Sequence, residues 1–222
     1  MKKSVSIKLL IFSFLLIAGG ITYSAGPEFK GGDATDSTIA GTANKAKKKM
    51  SSAFGYYNTA DGNEGSAFGT RNTANGVGSS AFGVENMADG YSSSAFGRGN
   101  LANGNSSSAF GRGNLANGDN SSAFGYEYCV TGNASGAFGA GEYIGGHYTY
   151  QNEGNNSYMI GNKNKIASGS NDNFILGNNV SINAGITKSV VLGDSSTSGG
   201  SNTVSVGSST LKRKIVNVKD GT

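Results

Sequence analysis

The side chains best equipped for chemistry are few. His147 is the one histidine and Cys129 the one cysteine in 222 residues, so a nucleophile paired with an imidazole base has almost no material. No Gly-x-Ser-x-Gly segment offers a serine on a strand-to-helix turn, and no pair of potential ligands has metal-binding spacing. Gly97-Arg98-Gly99-Asn100-Leu101-Ala102, repeated from Gly111 to Ala116, has the Gly-x-Gly-x-x-Ala form of a dinucleotide fingerprint. That fingerprint works only where a helix follows and aims its first amides at pyrophosphate; here another repeat follows. A calcium-binding glycine-rich repeat needs Asp at a fixed place in a nine-residue period, whereas Asp61 and Asp89 alternate with Asn75 and Asn103 in a period of 14. The sequence is therefore expected to carry no catalytic residue, no cofactor and no metal.

Recognition is better provided for. Tyr143, His147, Tyr148 and Tyr150 crowd the segment 140–156, and tyrosine gives large contact area at low entropic cost. Two readings stay open: these rings form part of a receptor-contact patch, or they cover a seam between chains. Arg98 and Arg112 stand ready for an acidic ligand or simply for solvent. Cys129 reads as a packed free thiol, since a single cysteine allows no intrachain disulfide.

These residues are carried by a repeat. Ala-Phe-Gly recurs at 53–55, 67–69, 81–83, 95–97, 109–111, 123–125 and 137–139, each step being 14 residues. Asn-Thr-Ala-Asp-Gly from Asn58, Asn-Thr-Ala-Asn-Gly from Asn72, Asn-Met-Ala-Asp-Gly from Asn86 and Asn-Leu-Ala-Asn-Gly from Asn100 and Asn114 ride on the same period. Fourteen residues suit two short strands and two tight turns, one coil of a β-solenoid. Gly62, Gly76, Gly90, Gly104 and Gly118 are expected to supply turn positions with positive φ. Ser37 to Lys48 reads as a degenerate first coil, an atypical terminal cap. Beyond Gly139, glycines at 161, 177, 193 and 207 close Ser-Tyr-Met-Ile, Asn-Phe-Ile-Leu, Ser-Val-Val-Leu and Thr-Val-Ser-Val. The spacing loosens there, which marks insertions, and the larger aliphatic residues predict a fuller core. About twelve coils at about 4.8 Å each make a rod of roughly 55–60 Å. With little more than one Phe and one Ala per early coil to bury, such a rod is too thin to stand alone, so several are expected to pack side by side.

Lys2, Lys3, the apolar run Leu9 to Ala18 and the small residues before Gly26 read as a secretory signal peptide over 1–25, cleaved after Ala25 or after Ser24. The apolar run is too short to span a bilayer as a helix, and no later segment could do so. Lys2, Lys3 and Lys8 lie in that signal, so 15 of the 18 basic residues remain against 14 acidic ones, a net charge near +1. Lys45, Lys47, Lys48 and Lys49 form one basic cluster and Lys212, Arg213 and Lys214 another, while six basic residues stand against ten acidic ones between Met50 and Leu211, leaving no cationic stripe along the body and excluding nucleic acid as a partner. The organisation read from this is 1–25 signal, 26–36 flexible segment, 37–139 regular coils, 140–207 irregular coils with insertions, and 208–222 a terminal segment.

The alternating Ser-Ser-Ala-Phe-Gly and Asn-Leu-Ala-Asn-Gly halves resemble the head repeats of trimeric autotransporter adhesins of the YadA-like type, over roughly 37–222. The family's commoner strand is Ser-Val-Ala-Ile-Gly, so Phe and the second Ser depart from it. Thr203-Val-Ser-Val-Gly207 followed by Arg213-Lys-Ile-Val-Asn-Val-Lys-Asp-Gly-Thr222 looks like the family's neck, which assigns that role to Arg213, Ile215, Asn217, Val218 and Gly221. The resemblance implies an all-β, left-handed parallel β-roll assembled as a homotrimer. It further implies non-covalent, multivalent attachment to a host extracellular-matrix protein or cell-surface receptor, at the bacterial surface if joined to an anchor and otherwise secreted. The family's stalk and membrane barrel are expected to lie outside this sequence, read as a truncated product or part of an interrupted gene. A structural spacer or self-association module without a host receptor fits the same repeats.

Overall fold

A computed structural model describes residues 29–217; the expected signal segment 1–25 and the expected neck positions Val218 and Gly221 lie outside the described residues. Within them the chain is an all-β parallel solenoid of about twelve turns with no helix. The longer strands, such as Ser52–Tyr56, Ser66–Thr70 and Ser80–Val84, stack into a sheet of 13; the shorter ones, such as Thr59–Ala60 and Thr73–Ala74, stack into a sheet of 10. Register joins like to like: Ala53 pairs with Ala67, Phe54 with Phe68, Thr59 with Thr73. A one-residue slip would turn every side chain to the other face, so the repeat itself fixes the pairing.

The core is made of alanine. Ala53, Ala67, Ala81, Ala95, Ala109 and Ala123 on the long sheet face Ala60, Ala74, Ala88, Ala102 and Ala116 on the short one, all fully buried. Because strand side chains alternate, the phenylalanine next to each long-sheet alanine points outward and is only half-buried. The expectation that Phe would fill the early coils is thus corrected: two alanine faces leave no room for a ring between the sheets. Further on, Met159, Ile175 and Val191 occupy the long-sheet alanine slot and Ile166 and Ile182 the short-sheet one, every one buried. The C-terminal coils therefore have the fuller core that their composition predicts.

The glycines do a different task from the one expected. Gly62, Gly76, Gly90, Gly104 and Gly118 do not have positive φ; a Cβ on Gly90 would sit 2.0 Å from the carbonyl oxygen of Gly104, one coil on. They are needed for close backbone stacking. Positive φ falls instead on the Ala-Phe-Gly glycines and on non-glycine corner residues such as Tyr57 (56°), Glu64 (59°), Arg71 (54°) and Glu85 (58°). Each such corner costs about 1–2 kcal/mol, offset by backbone bonds to the preceding coil, as when Arg71 donates to the Tyr56 carbonyl at 2.9 Å.

Asparagine holds the interior of one corner. Asn86 donates through Nδ2 to Asn72 Oδ1 (3.0 Å), the Phe82 carbonyl (2.9 Å) and the Gly97 carbonyl (2.8 Å). Its own Oδ1 accepts the backbone N–H and Nδ2 of Asn100, both at 3.0 Å. The same rung recurs at Asn58, Asn72, Asn100 and Asn114, a buried polar network in which each amide is satisfied. On the other corner the hydroxyls of Ser79, Ser93, Ser107 and Ser121 are buried without a partner.

The described part of the segment 26–36 pairs with the first coil. Lys30 and Gly31 pair antiparallel with Ile39 and Thr38, Asp33 donates to the Ala46 carbonyl at 2.9 Å, and Gly32 to the Ser37 carbonyl at 3.0 Å. This reversed strand covers the edge of the first coil, which would otherwise present open pairing groups. The terminal segment from Ser208 to Asn217 forms no strand. Arg213 anchors it, donating to Ser196 Oγ (2.7 Å) and to the carbonyls of Val206 and Asp194, while Ile215 is exposed and Asn217 takes φ of 59°.

Candidate functional site

Two surface features stand out from the solenoid: a ladder of rings on the long sheet and a hairpin that leaves the corner after the strand Gly136–Ala140. Phe54, Phe68, Phe82, Phe96, Phe110, Phe124 and Phe138 stack with centroids 4.7–5.2 Å apart and planes within 16° of parallel. The spacing is that of the strands themselves, so each ring stacks because its backbone does. Phe29 closes the first end edge-on at 5.7 Å. Beyond Phe138 the column continues as Ile160, Leu176 and Leu192. Beside it Gly136, Tyr158, Phe174, Val190 and Val204 share a second column. A long apolar stripe thus runs the length of the rod, broadest near its C-terminal end.

The hairpin is built by the inserted residues. Tyr143–Ile144 and His147–Tyr148 pair antiparallel, Tyr143 opposite Tyr148 and Ile144 opposite His147. Gly145 (φ 59°) and Gly146 (φ 87°) form the turn; two consecutive positive φ values are what a two-residue primed turn requires. Thr149 donates to the Glu142 carbonyl at 2.9 Å, closing the base. The hairpin lies back along the corner toward earlier coils. The Tyr148 hydroxyl donates to the Gly113 carbonyl at 2.9 Å, and the Tyr143 amide donates to Glu127 Oε2 at 2.9 Å. The Tyr143 and Tyr148 rings meet edge-on at 4.8 Å.

Of the four residues singled out from the sequence, the structure brings Tyr143, His147 and Tyr148 into this one hairpin and places Tyr150 just past it, packed partly against the core. They do not share one exposure. Tyr143 is 48% exposed and His147 is exposed, whereas Tyr148 is a half-buried anchor. Burial pushes the Tyr148 hydroxyl up to about 12, with the neighbouring Cys129 thiol adding to it. Cys129 itself is buried and free, its thiol pushed up to about 12 chiefly by burial and then by Glu153. The exposed apolar residue missed in the sequence is Ile144, 61% exposed at the tip; an isolated isoleucine between Tyr143 and two glycines gave no signal without the hairpin.

Around the hairpin, Arg98 and Arg112 are exposed on adjacent coils, and the Arg112 guanidinium lies 5.5 Å from the Tyr126 ring centroid. Gly99, beside Arg98, has open space where a side chain would stand. Among the described residues no group of three or more His, Cys, Asp or Glu is placed to hold a metal ion, and no helix is long and apolar enough to cross a membrane. The chemistry on offer is contact: apolar and aromatic surface, two guanidinium groups and turn carbonyls.

Residues 46–72, 74–100 and 102–127 match the YadA head domain repeat (2 copies). Each matched stretch starts on a short-sheet alanine, Ala46, Ala74 or Ala102, and its two repeat copies cover two coils. No curated protein matches the sequence.

Proposed function

We propose that this chain, whose repeats make it a YadA-like trimeric autotransporter adhesin head, attaches bacteria non-covalently and multivalently to host cells or extracellular matrix. The family and the solenoid fold are those of an adhesive or structural protein rather than an enzyme, and such heads are surface-exposed or secreted. Three copies, each a left-handed β-roll, pack around one axis and turn their apolar stripes inward. The half-exposed ladder from Phe54 to Phe138 is the observation that carries this assembly. Stacked rings on a thin alanine-cored rod bury their remaining surface only against another chain.

The outward hairpins, one per copy, then present Tyr143, Ile144 and His147 three times, so weak contacts sum to avidity. The occupant is a protein surface of the matrix or the host cell. The test is adhesion of the exported chain to immobilised matrix proteins and to host cells, with Tyr143→Ala/Ile144→Ala compared against Tyr91→Ala, an exposed tyrosine on another corner. Loss of binding of roughly tenfold or more in the first variant alone is expected, as for a pair of contact hot spots. Equal binding by both variants removes the hairpin from the contact. Assembly without affinity for any matrix protein or cell would make the chain a spacer or self-association module instead.

A further inference from the structure

The asparagine ladder first breaks at Tyr128, and the residue at that break explains how a regular coil opens into a hairpin. The rungs run from Asn44 to Asn114 at 14-residue steps. The next rung is Tyr128, fully buried. Its amide still makes the rung bond, donating to Asn114 Oδ1 at 3.1 Å. Its ring then reaches past the following coil altogether. The hydroxyl donates to the Gly161 carbonyl at 2.8 Å and accepts the Asn164 amide at 3.1 Å. From Asn164 the ladder resumes, with Asn164 Oδ1 accepting the Val180 amide at 3.0 Å. The skipped slot belongs to Tyr150, just before Gln151, which pairs with Cys129.

The same ring fixes the exit of the chain. Gly141 is the last residue before the hairpin, and its amide donates to the Tyr126 carbonyl at 2.7 Å. A Cβ there would stand 3.0 Å from Tyr128 Cδ1 and 2.4 Å from the Glu127 carbonyl oxygen. Glu127, next to Tyr128, receives the Tyr143 amide.

We propose that Tyr128 is the positioning residue of the hairpin: one phenol spans the missing rung, so residues 142–149 can leave the corner while the ladder behind them stays satisfied. The importance of the hairpin rests on the adhesive function proposed above; the role of Tyr128 in forming it does not. An asparagine at 128 is too short to reach Gly161 and Asn164, and would leave the buried Asn164 amide and the part-buried Gly161 carbonyl without this partner. Were 142–149 absent, the coil would return to 14 residues and an asparagine would fit.

The experiment compares Tyr128→Asn in two backgrounds, the full exported chain and the same chain lacking 142–149 and carrying Tyr150→Asn. In the full chain the substitution is expected to lower the melting temperature by several degrees and to speed amide exchange at Tyr143, Thr149 and Asn164 by roughly tenfold or more. In the shortened chain it is expected to raise the melting temperature, because the ladder is completed. An equal fall in both backgrounds would show Tyr128 to be an ordinary core residue and overturn the proposal. Should the shortened chain not fold, Tyr128→Phe in the full chain decides: unchanged protection at Tyr143, Thr149 and Asn164 overturns it as well. Both readouts are taken without a ligand, so they stand or fall independently of adhesion.

Discussion

Replacing Asn86 by alanine removes one rung of the ladder and tests whether the buried amides, rather than the thin alanine core, hold the regular coils together. The side chain gives hydrogen bonds to Asn72 Oδ1 and to the carbonyls of Phe82 and Gly97, and accepts the Asn100 amide and Nδ2. The Asn100 N–H is left buried with no acceptor, which alone costs about 1–3 kcal/mol. The two carbonyls each lose a donor, and the space of the missing amide adds a small cavity term. The sum is about 3 kcal/mol, which for a chain of this size lowers the melting temperature by about 6–12 °C. Asn75→Ala is the control. It removes an exposed bond to Asp89 at 2.8 Å and should change stability by less than about 0.5 kcal/mol. Circular dichroism melts of both variants at equal chain concentration read the difference. Indistinguishable melting of Asn86→Ala and Asn75→Ala would refute the ladder as a source of stability.

Glycine substitutions separate crowding from backbone angle: Gly90→Ala, whose Cβ meets the Gly104 carbonyl at 2.0 Å, should abolish folding of its coils. Gly99→Ala has φ of 65° but open space, and should cost only about 1–2 kcal/mol in the same melts. Ser107→Ala deletes a buried hydroxyl with no partner and should leave stability unchanged or raise it by up to about 1 kcal/mol. The alkaline side of the stability profile carries a further sign. Burial raises Cys129 from 9.0 and both Tyr128 and Tyr148 from 10.0, each to about 12, so the folded state favours their neutral forms. Their contribution is complete below pH 9 and is lost as pH rises toward 12. Denaturant midpoints should be level from pH 7 to 9 and fall above it, and native Cys129 should resist alkylation at neutral pH.

The regular coils were open to reading because every residue recurs: the Ala-Phe-Gly and Asn-x-Ala steps fix strand, register and coil together. What the repeat did not disclose is direction. Alternation demands that either Ala or Phe face inward, and hydrophobicity favours Phe; only the width between two alanine faces, a property of the closed coil, reverses that choice. The turn glycines misled for a related reason. Composition ties glycine beside Asp or Asn to positive φ, whereas the requirement at Gly62 or Gly90 comes from the carbonyl of the next coil. At the candidate site the tyrosine crowding at 143–150 marked the inserted segment, but not which rings are held and which are exposed, a division that depends on a bond from Tyr148 to Gly113, distant in sequence. Tyr128 stands in the slot of the repeated asparagine, and its task appears only when Gly161 and Asn164 are seen beside it.

The most direct measurement is the solution mass of residues 26–222 by light scattering, with circular dichroism on the same sample and Phe82→Ser/Phe96→Ser as the partner variant. A β-rich trimer that the ladder variant reduces to monomer is the predicted result. A stable β-rich monomer, or a trimer indifferent to the loss of both rings, would contradict a shared apolar stripe as the basis of the adhesive head.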